Sequence, residues 1–191
     1  MENLTANQTK TTWVIDPMHS EMQFKIKHLV ISTVTGSFKK FEGRIITEGD
    51  DFNNAKVNFT LDVKSIDTNQ SQRDAHLQGD DFFEAETYPE IKFQSTSFTK
   101  QGNDYKMIGN LTMKGVTKPI ELNVEYGGSE KNSYGQLKHG FEVTGKINRK
   151  EFGMTYNAIT EAGGLTLGED ITLIANIQVA KLVEQAIDVA A

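Results

Sequence analysis

The chain contains no cysteine, which removes disulfides, thiolate nucleophiles and thiolate metal sites together. Basic clusters are missing as well. No Lys/Arg run exceeds two residues, and 20 basic side chains stand against 26 acidic ones. The electrostatic footprint of a nucleic-acid binder is therefore lacking, and no nucleic-acid partner is expected. No apolar stretch is long enough to span a bilayer, so no transmembrane segment is expected. Met1 to Thr11 carries no apolar h-region, which points to a cytoplasmic protein as written, or to a periplasmic one if a leader has been removed. Catalytic signatures are equally scarce. There is no G-x-S-x-G elbow, no P-loop and no H-E-x-x-H helix, each of which a corresponding chemistry would need. His19, His28, His76 and His139 match no metal-ligand spacing, and no carboxylate falls on an inward apolar face where its pKa would rise. The sequence thus offers no catalytic residues, no metal site and no cofactor site.

What the chain does have is alternation. Ala55, Val57, Phe59, Leu61 and Val63 interleave with Lys56, Asn58, Thr60, Asp62 and Lys64, the pattern of a sheet with one wet face. The same parity returns around Phe24, Leu122, Phe141 and Leu173. Segments of strand character cover roughly 12–30, 36–48, 55–64, 90–98, 104–113, 120–126, 136–148 and 169–181, joined by short turns rich in Gly, Asn and Asp. Neighbours in sequence should then be antiparallel neighbours in space. The exception is 65–89, where alternation stops and Gln70 to Gln78 reads as a short helix ending at Gly79. Asp81 and Glu84 have the capping-box spacing, which predicts a second helical turn through Phe82 and Phe83. A further helical turn is expected near Glu151 to Tyr156. The chain divides into a disordered tail at 1–11, one domain at 12–181 and a C-terminal tail at 182–191.

About eight antiparallel strands can close into a barrel, which abolishes exposed edges, or split into a sandwich. A barrel of that size is filled by its own side chains or holds one small ligand. Small inward residues such as Gly109, Gly145 and Ala175, set beside Tyr105, Phe141 and Leu173, would leave a tapered apolar space if nothing opposite fills it. Periodicity leaves the filled and the hollow interior equally open.

Six ordered stretches then carry a resemblance. They are Trp13 to His28 (WVIDPMHSEMQFKIKH), Gly36 to Gly43, Ser65 to Thr68 with Arg73 to Leu77, Asp81 to Phe83 with Tyr88 to Phe93, Gly109 to Thr117, and Ile147 to Gly153. Together they resemble the YceI-like family from Trp13 to about Lys181. The resemblance implies an all-β fold, an eight-stranded antiparallel lipocalin-like barrel with a short helical insert between its third and fourth strands. It further implies a cavity for a long-chain polyisoprenoid or related lipid such as a prenyl quinone, polyprenyl phosphate or fatty amide, a homodimer and a bacterial origin.

On that footing Met22, Phe24, Ile26, Phe59, Leu61, Phe93, Leu111, Phe141, Val143 and Leu173 are candidates to line the lipid tail. Each is also suited to a plain core, the commoner role for any one of them taken singly. Head-group candidates are His28, Arg73, His76, His139, Asn148 and Arg149. Arginine suits bidentate contact with phosphate or carboxylate, and an imidazole could bond a quinone carbonyl. The competing expectation for the arginines is a salt-bridge network that pins loops to the barrel rim, and for His28 and His139 a satisfied core position. For the whole protein, the rival is a solidly packed barrel acting as an interaction or stress-response module without ligand.

Overall fold

The computed structural model describes residues 10–49, 51–159 and 164–182. Its strands are β1 (Lys10–Ile15), β2 (Glu21–His28), β3 (Ser32–Phe38), β4 (Phe41–Glu48), β5 (Lys56–Asp62), β6 (Ile66–Asp67), β7 (Glu90–Gln101), β8 (Asp104–Met113), β9 (Val116–Lys131), β10 (Leu137–Asn148) and β11 (Leu167–Lys181), with one α-helix, α1 (Ser71–Gln78). Every pairing is antiparallel and follows chain order, β4 to β5, β5 to β7 and onward to β11. The ring closes because β11 pairs with β1 near Val179 and with β2 between Asn176 and Ile171. β1 with β2, β3 with β4, and β5 with β6 are successive parts of single staves, so the ring is an eight-stranded closed barrel.

Two of the long expected strands are therefore broken. The first is interrupted by a 3-10 turn at Pro17–His19, where proline has no N–H to give a ladder and Asp16 accepts from Met18 N. The second breaks at Lys39 and Lys40, whose amides turn aside to Ser65, Lys39 N to its carbonyl and Lys40 N to its hydroxyl. Val30, expected at the end of a strand, instead sits at a hairpin tip. Conversely, β9 runs past the expected turn at Gly127 and Gly128. A bulge opposite Gly140 and a positive φ of 102° at Gly128 absorb the irregularity, and the turn comes only at Asn132 to Gln136.

The insert holds α1, which ends at Gly79 as its composition suggests. Asp81 to Glu84 is not helical. Phe83 N and Glu84 N reach back to Leu77 O and Gly79 O, forming consecutive turns that press Phe82 and Phe83 inward. Near residue 150 the expected helical turn is a 3-10 helix, Arg149–Phe152, capped by the Asn148 side chain and stopped by Gly153 at φ 77°. Of the expected N-terminal tail at 1–11, residues 1–9 lie outside the described residues, while Lys10 and Thr11 instead open β1; the C-terminal tail from 183 also lies outside them.

One end of the barrel is closed by side chains. Phe52, from the β4–β5 connection, packs against Trp13, His139 and Phe141 at centroid distances of 5.4, 5.0 and 5.0 Å. Trp13 is fully buried and donates Nε1–H to Thr47 Oγ1 at 3.1 Å. The other end carries α1 and, from the connection before β11, residues 149–159 and 164–166.

Candidate functional site

Inside the ring lies an elongated, predominantly apolar cavity of about 620 Å³, within the range of roughly 300–1,000 Å³ usual for small-molecule sites. All ten residues expected to face a lipid tail are on its wall: Met22, Phe24, Ile26, Phe59, Leu61, Phe93, Leu111, Phe141, Val143 and Leu173. Several of them, including Met22, Ile26, Phe59, Val143 and Leu173, are only half-buried although they point inward from mid-strand. That exposure is to the hollow rather than to the outside. Of the two interiors that alternation allows, the structure has the hollow one.

The small inward residues do not create the hollow in the way their size suggests. A Cβ on Gly109 would lie 2.4 Å from Phe93 Cζ and 2.5 Å from the Gln94 carbonyl oxygen, and one on Gly145 would lie 2.3 Å from Leu122 Cδ2. Each glycine is roofed by a lining side chain. Phe93 and Leu122 lie flat along the wall because there is no Cβ beneath them, and the axis stays open as a result.

The cavity floor, at the Phe52 end, is made of buried Phe98, Met107, Val124, Phe141 and Ile177. At the insert end the lining passes to half-buried or exposed residues, among them His28, Val34, Gln70, Arg73, His76, Tyr156 and Thr166. This is the mouth.

Four of the six expected head-group residues gather there, and two do not. Arg73 donates Nε–H to Thr68 Oγ1 and Nη2–H to Thr68 O, both at 2.7 Å, tying α1 to β6. His76 pairs with Asp81 at 2.8 Å and meets Phe82 and Tyr156 edge-on. His28 lies on the wall beside the β2–β3 hairpin. Arg149 is 1 % exposed. It donates Nε–H to Gly168 O at 2.9 Å and Nη1–H to Met154 O and Tyr156 O at 2.6 and 2.7 Å. Among the described residues Nη2 makes no hydrogen bond and no carboxylate forms an ion pair with the group. Burial pulls its pKa down, partly countered by the charge of Glu169.

His139 is absent from the lining. It packs in the closed end against Trp13 and Phe52, with Nδ1 hydrogen-bonded to the Tyr126 hydroxyl at 2.9 Å. Its inward parity is real, but it falls beyond the cavity floor. Asn148 likewise misses the cavity: its Oδ1 accepts from Lys150 N at 2.9 Å to cap the 3-10 helix. Arg73 and Arg149 do pin loops, but by hydrogen bonds to Thr68 and to backbone carbonyls rather than by the expected salt bridges, and both also reach the cavity wall.

Parity gave no warning of Leu77, on α1, or of Phe82, Phe83, Met154 and Tyr156, on irregular connections, which complete the wall. A run of aromatic residues in an otherwise polar insert was the available signal. No group of three or more His, Asp or Glu side chains is gathered as metal ligands among the described residues.

Comparison with known proteins agrees with this geometry. The family model for the YceI-like domain matches residues 13–179. A UPF0312 protein of Staphylococcus epidermidis is 38% identical over 169 residues, covering 88% of this chain and 96% of its own. The crystal structure of a Campylobacter jejuni YceI protein superposes with a TM-score of 0.70 at 36% identity, covering 83% of this chain and 91% of that one. A polyisoprenoid binding domain from Saccharophagus degradans shares the fold at a TM-score of 0.62 and 16% identity, with 89% and 98% of the two chains covered.

Proposed function

The chain belongs to the YceI-like family, and from that premise we propose that its cavity holds the hydrocarbon tail of a polyisoprenoid or similar long-chain lipid, for carriage or storage. The observation that carries the proposal is the apolar hollow of about 620 Å³, open at one end and floored at the other. Burial of hydrocarbon is favourable by about 0.8 kcal/mol per CH2, so one five-carbon isoprene unit contributes about 4 kcal/mol. Association costs on the order of 4–15 kcal/mol. One unit would therefore barely bind, and chain length supplies the affinity. Selectivity between tails of equal girth is weak, at about 1–3 kcal/mol per methylene, which leaves discrimination to the cavity's length and to the head group.

In this proposal the floor receives the tail end, and the head lies at the mouth near His28, Arg73 and His76, with Arg149 beneath. The Saccharophagus degradans domain supports the ligand class through shared fold. The role is binding without turnover, since Arg73 and Arg149 are engaged by backbone carbonyls and His76 by a carboxylate. Assembly as a homodimer belongs to the same proposal and is supported by the family resemblance.

The test is organic extraction of the purified protein followed by mass spectrometry, with uptake of added polyprenol or prenyl quinone as the second measurement. Co-purified prenyl or acyl lipid, or saturable uptake, is the expected result. A clean extract together with no uptake would overturn the proposal in favour of an interaction module.

A further inference from the structure

The β2–β3 hairpin presents its most apolar residues to solvent. Val30 and Ile31 are 84% and 87% exposed, Leu29 is exposed beside them, and Ile159 and Leu165 add a second apolar pair. The two groups are adjacent. Leu29 N donates to Thr166 O at 2.7 Å, His28 is in register with Leu167, and Ile159 bridges to Leu165. His28, Thr166 and Leu167 line the cavity, so this patch is the lip of its mouth.

The turn chemistry at the tip runs against local preference. Leu29 and Val30 have φ of 51° and 65°, the left-handed pair for which hairpins ordinarily use Asn and Gly. A β-branched residue there is an outlier. The other non-glycine residues with positive φ among the described residues are Asn54, Asn69, Glu84 and Lys114, all polar. Among the described residues, only at the lip are apolar side chains held in a strained turn and left in water, and strain of this kind is retained mainly where it serves a site.

The charges beside the lip select its partner. Glu169 and Asp170, on the neighbouring strand, are paired with Lys150 and Lys146. Lys25 and Lys27, exposed on the outer face of β2 leading to the tip, form no ion pair among the described residues. Among the described residues the uncommitted charge next to the lip is therefore positive, on a chain whose net charge is −6.

We propose that Leu29, Val30 and Ile31, with Ile159 and Leu165, insert into the surface of an anionic bilayer, with Lys25 and Lys27 on its head groups, so that the cavity mouth opens directly onto the membrane. A rigid protein seated on the same patch would cover the entrance. A bilayer is itself the apolar medium, and it also carries long-chain lipid to the mouth without passage through water. Interfacial anchors combine apolar side chains with flanking lysines in the same manner.

The experiment is flotation of the full chain with vesicles of phosphatidylcholine containing phosphatidylglycerol, compared with phosphatidylcholine alone. The wild-type protein should float with the anionic vesicles, and less so as salt is raised. The double variant Val30→Asn, Ile31→Ser should lose at least about tenfold in vesicle affinity. Its thermal stability should not fall, because asparagine tolerates the left-handed turn. Its uptake of polyprenol from detergent micelles should match wild type, since neither residue lines the cavity. Vesicle binding that is absent in wild type or equal in the variant would overturn the proposal. A wild-type dimer that the variant converts to monomer, with no vesicle bound, would overturn it in favour of a second copy on the lip. Vesicle binding is measured without ligand uptake, so a protein that floats but takes up no lipid would sink the cavity reading and leave the lip standing.

Discussion

Val143→Phe separates a hollow barrel from a filled one by the sign of its effect on stability. Val143 points inward from the middle of β10, opposite Ala175 on β11 and Val124 on β9, and is only half-buried because it faces the hollow. In a filled core the added ring would be overpacked and would cost about 1–3 kcal/mol. In a hollow it covers exposed wall, and cavity-filling of this kind commonly adds about 0.5–2 kcal/mol. The same ring occupies space that ligand hydrocarbon would use. Excluding about four CH2 equivalents removes about 3 kcal/mol of binding, roughly a hundredfold in affinity. Urea denaturation of the lipid-free protein and titration with a fluorescent polyprenol analogue measure the two effects. Gly109→Ala is the contrast: its single added carbon meets Phe93 and the Gln94 carbonyl oxygen, and it should destabilise by about 1–3 kcal/mol. If Val143→Phe destabilised the fold while uptake stayed at the wild-type level, the reasoning from mid-strand exposure to a usable hollow would be refuted.

Arg149→Met should cost about 3–5 kcal/mol, since three carbonyl oxygens lose their buried donor. Arg149→Lys should recover little of that, because an ammonium cannot span the same fork; chemical denaturation compares the two. Asp16 has its carboxyl held well below the usual range, chiefly by the hydrogen bond from Lys138, with His19 and Met18 N adding to it. A depressed folded-state pKa contributes stability that is complete above the unfolded value of about 3.9 and is lost as pH falls below it. Asp16→Asn should therefore flatten the acid limb of a stability–pH curve, and an unchanged limb would exclude this pair as its source. Tyr105 is pushed up to about 12, first by burial and then by the charge of Asp51. That contribution is present below the unfolded value of about 10 and is lost as pH rises toward 12, so Tyr105→Phe should unfold at higher pH than wild type in an ultraviolet-monitored alkaline titration.

The strands and their inner faces were legible in the sequence because alternation is a local property, whereas closure into a barrel rather than a sandwich came only from the family resemblance. Ala55 to Val63 repeats every second residue, and that alone assigns Phe59 and Leu61 to the inner face. The turn signals and the insert at 65–89 then order the staves. Local pattern failed where backbone groups found distant partners: at Pro17, and at Lys39 and Lys40, whose amides bond to Ser65. It failed again at Gly127 and Gly128, where a bulge carried β9 onward through residues that elsewhere make turns.

Tail-facing residues were likewise readable, since parity alone puts Met22 or Leu173 on the wall. The mouth was not. His28 and His139 share the inward parity, yet one lines the cavity and the other packs beyond its floor, because height along the axis is set by register and tilt rather than by which face a residue occupies. Arg149 and Asn148 are adjacent in sequence, and only the fold assigns the first to a cluster of carbonyls from 154, 156 and 168 and the second to a helix cap. By itself the sequence determined that apolar faces must enclose a common interior. Whether that interior is empty was decided by the tertiary structure, because a void depends on how side chains from strands far apart in the chain meet across the axis, and no period along one strand records that distance.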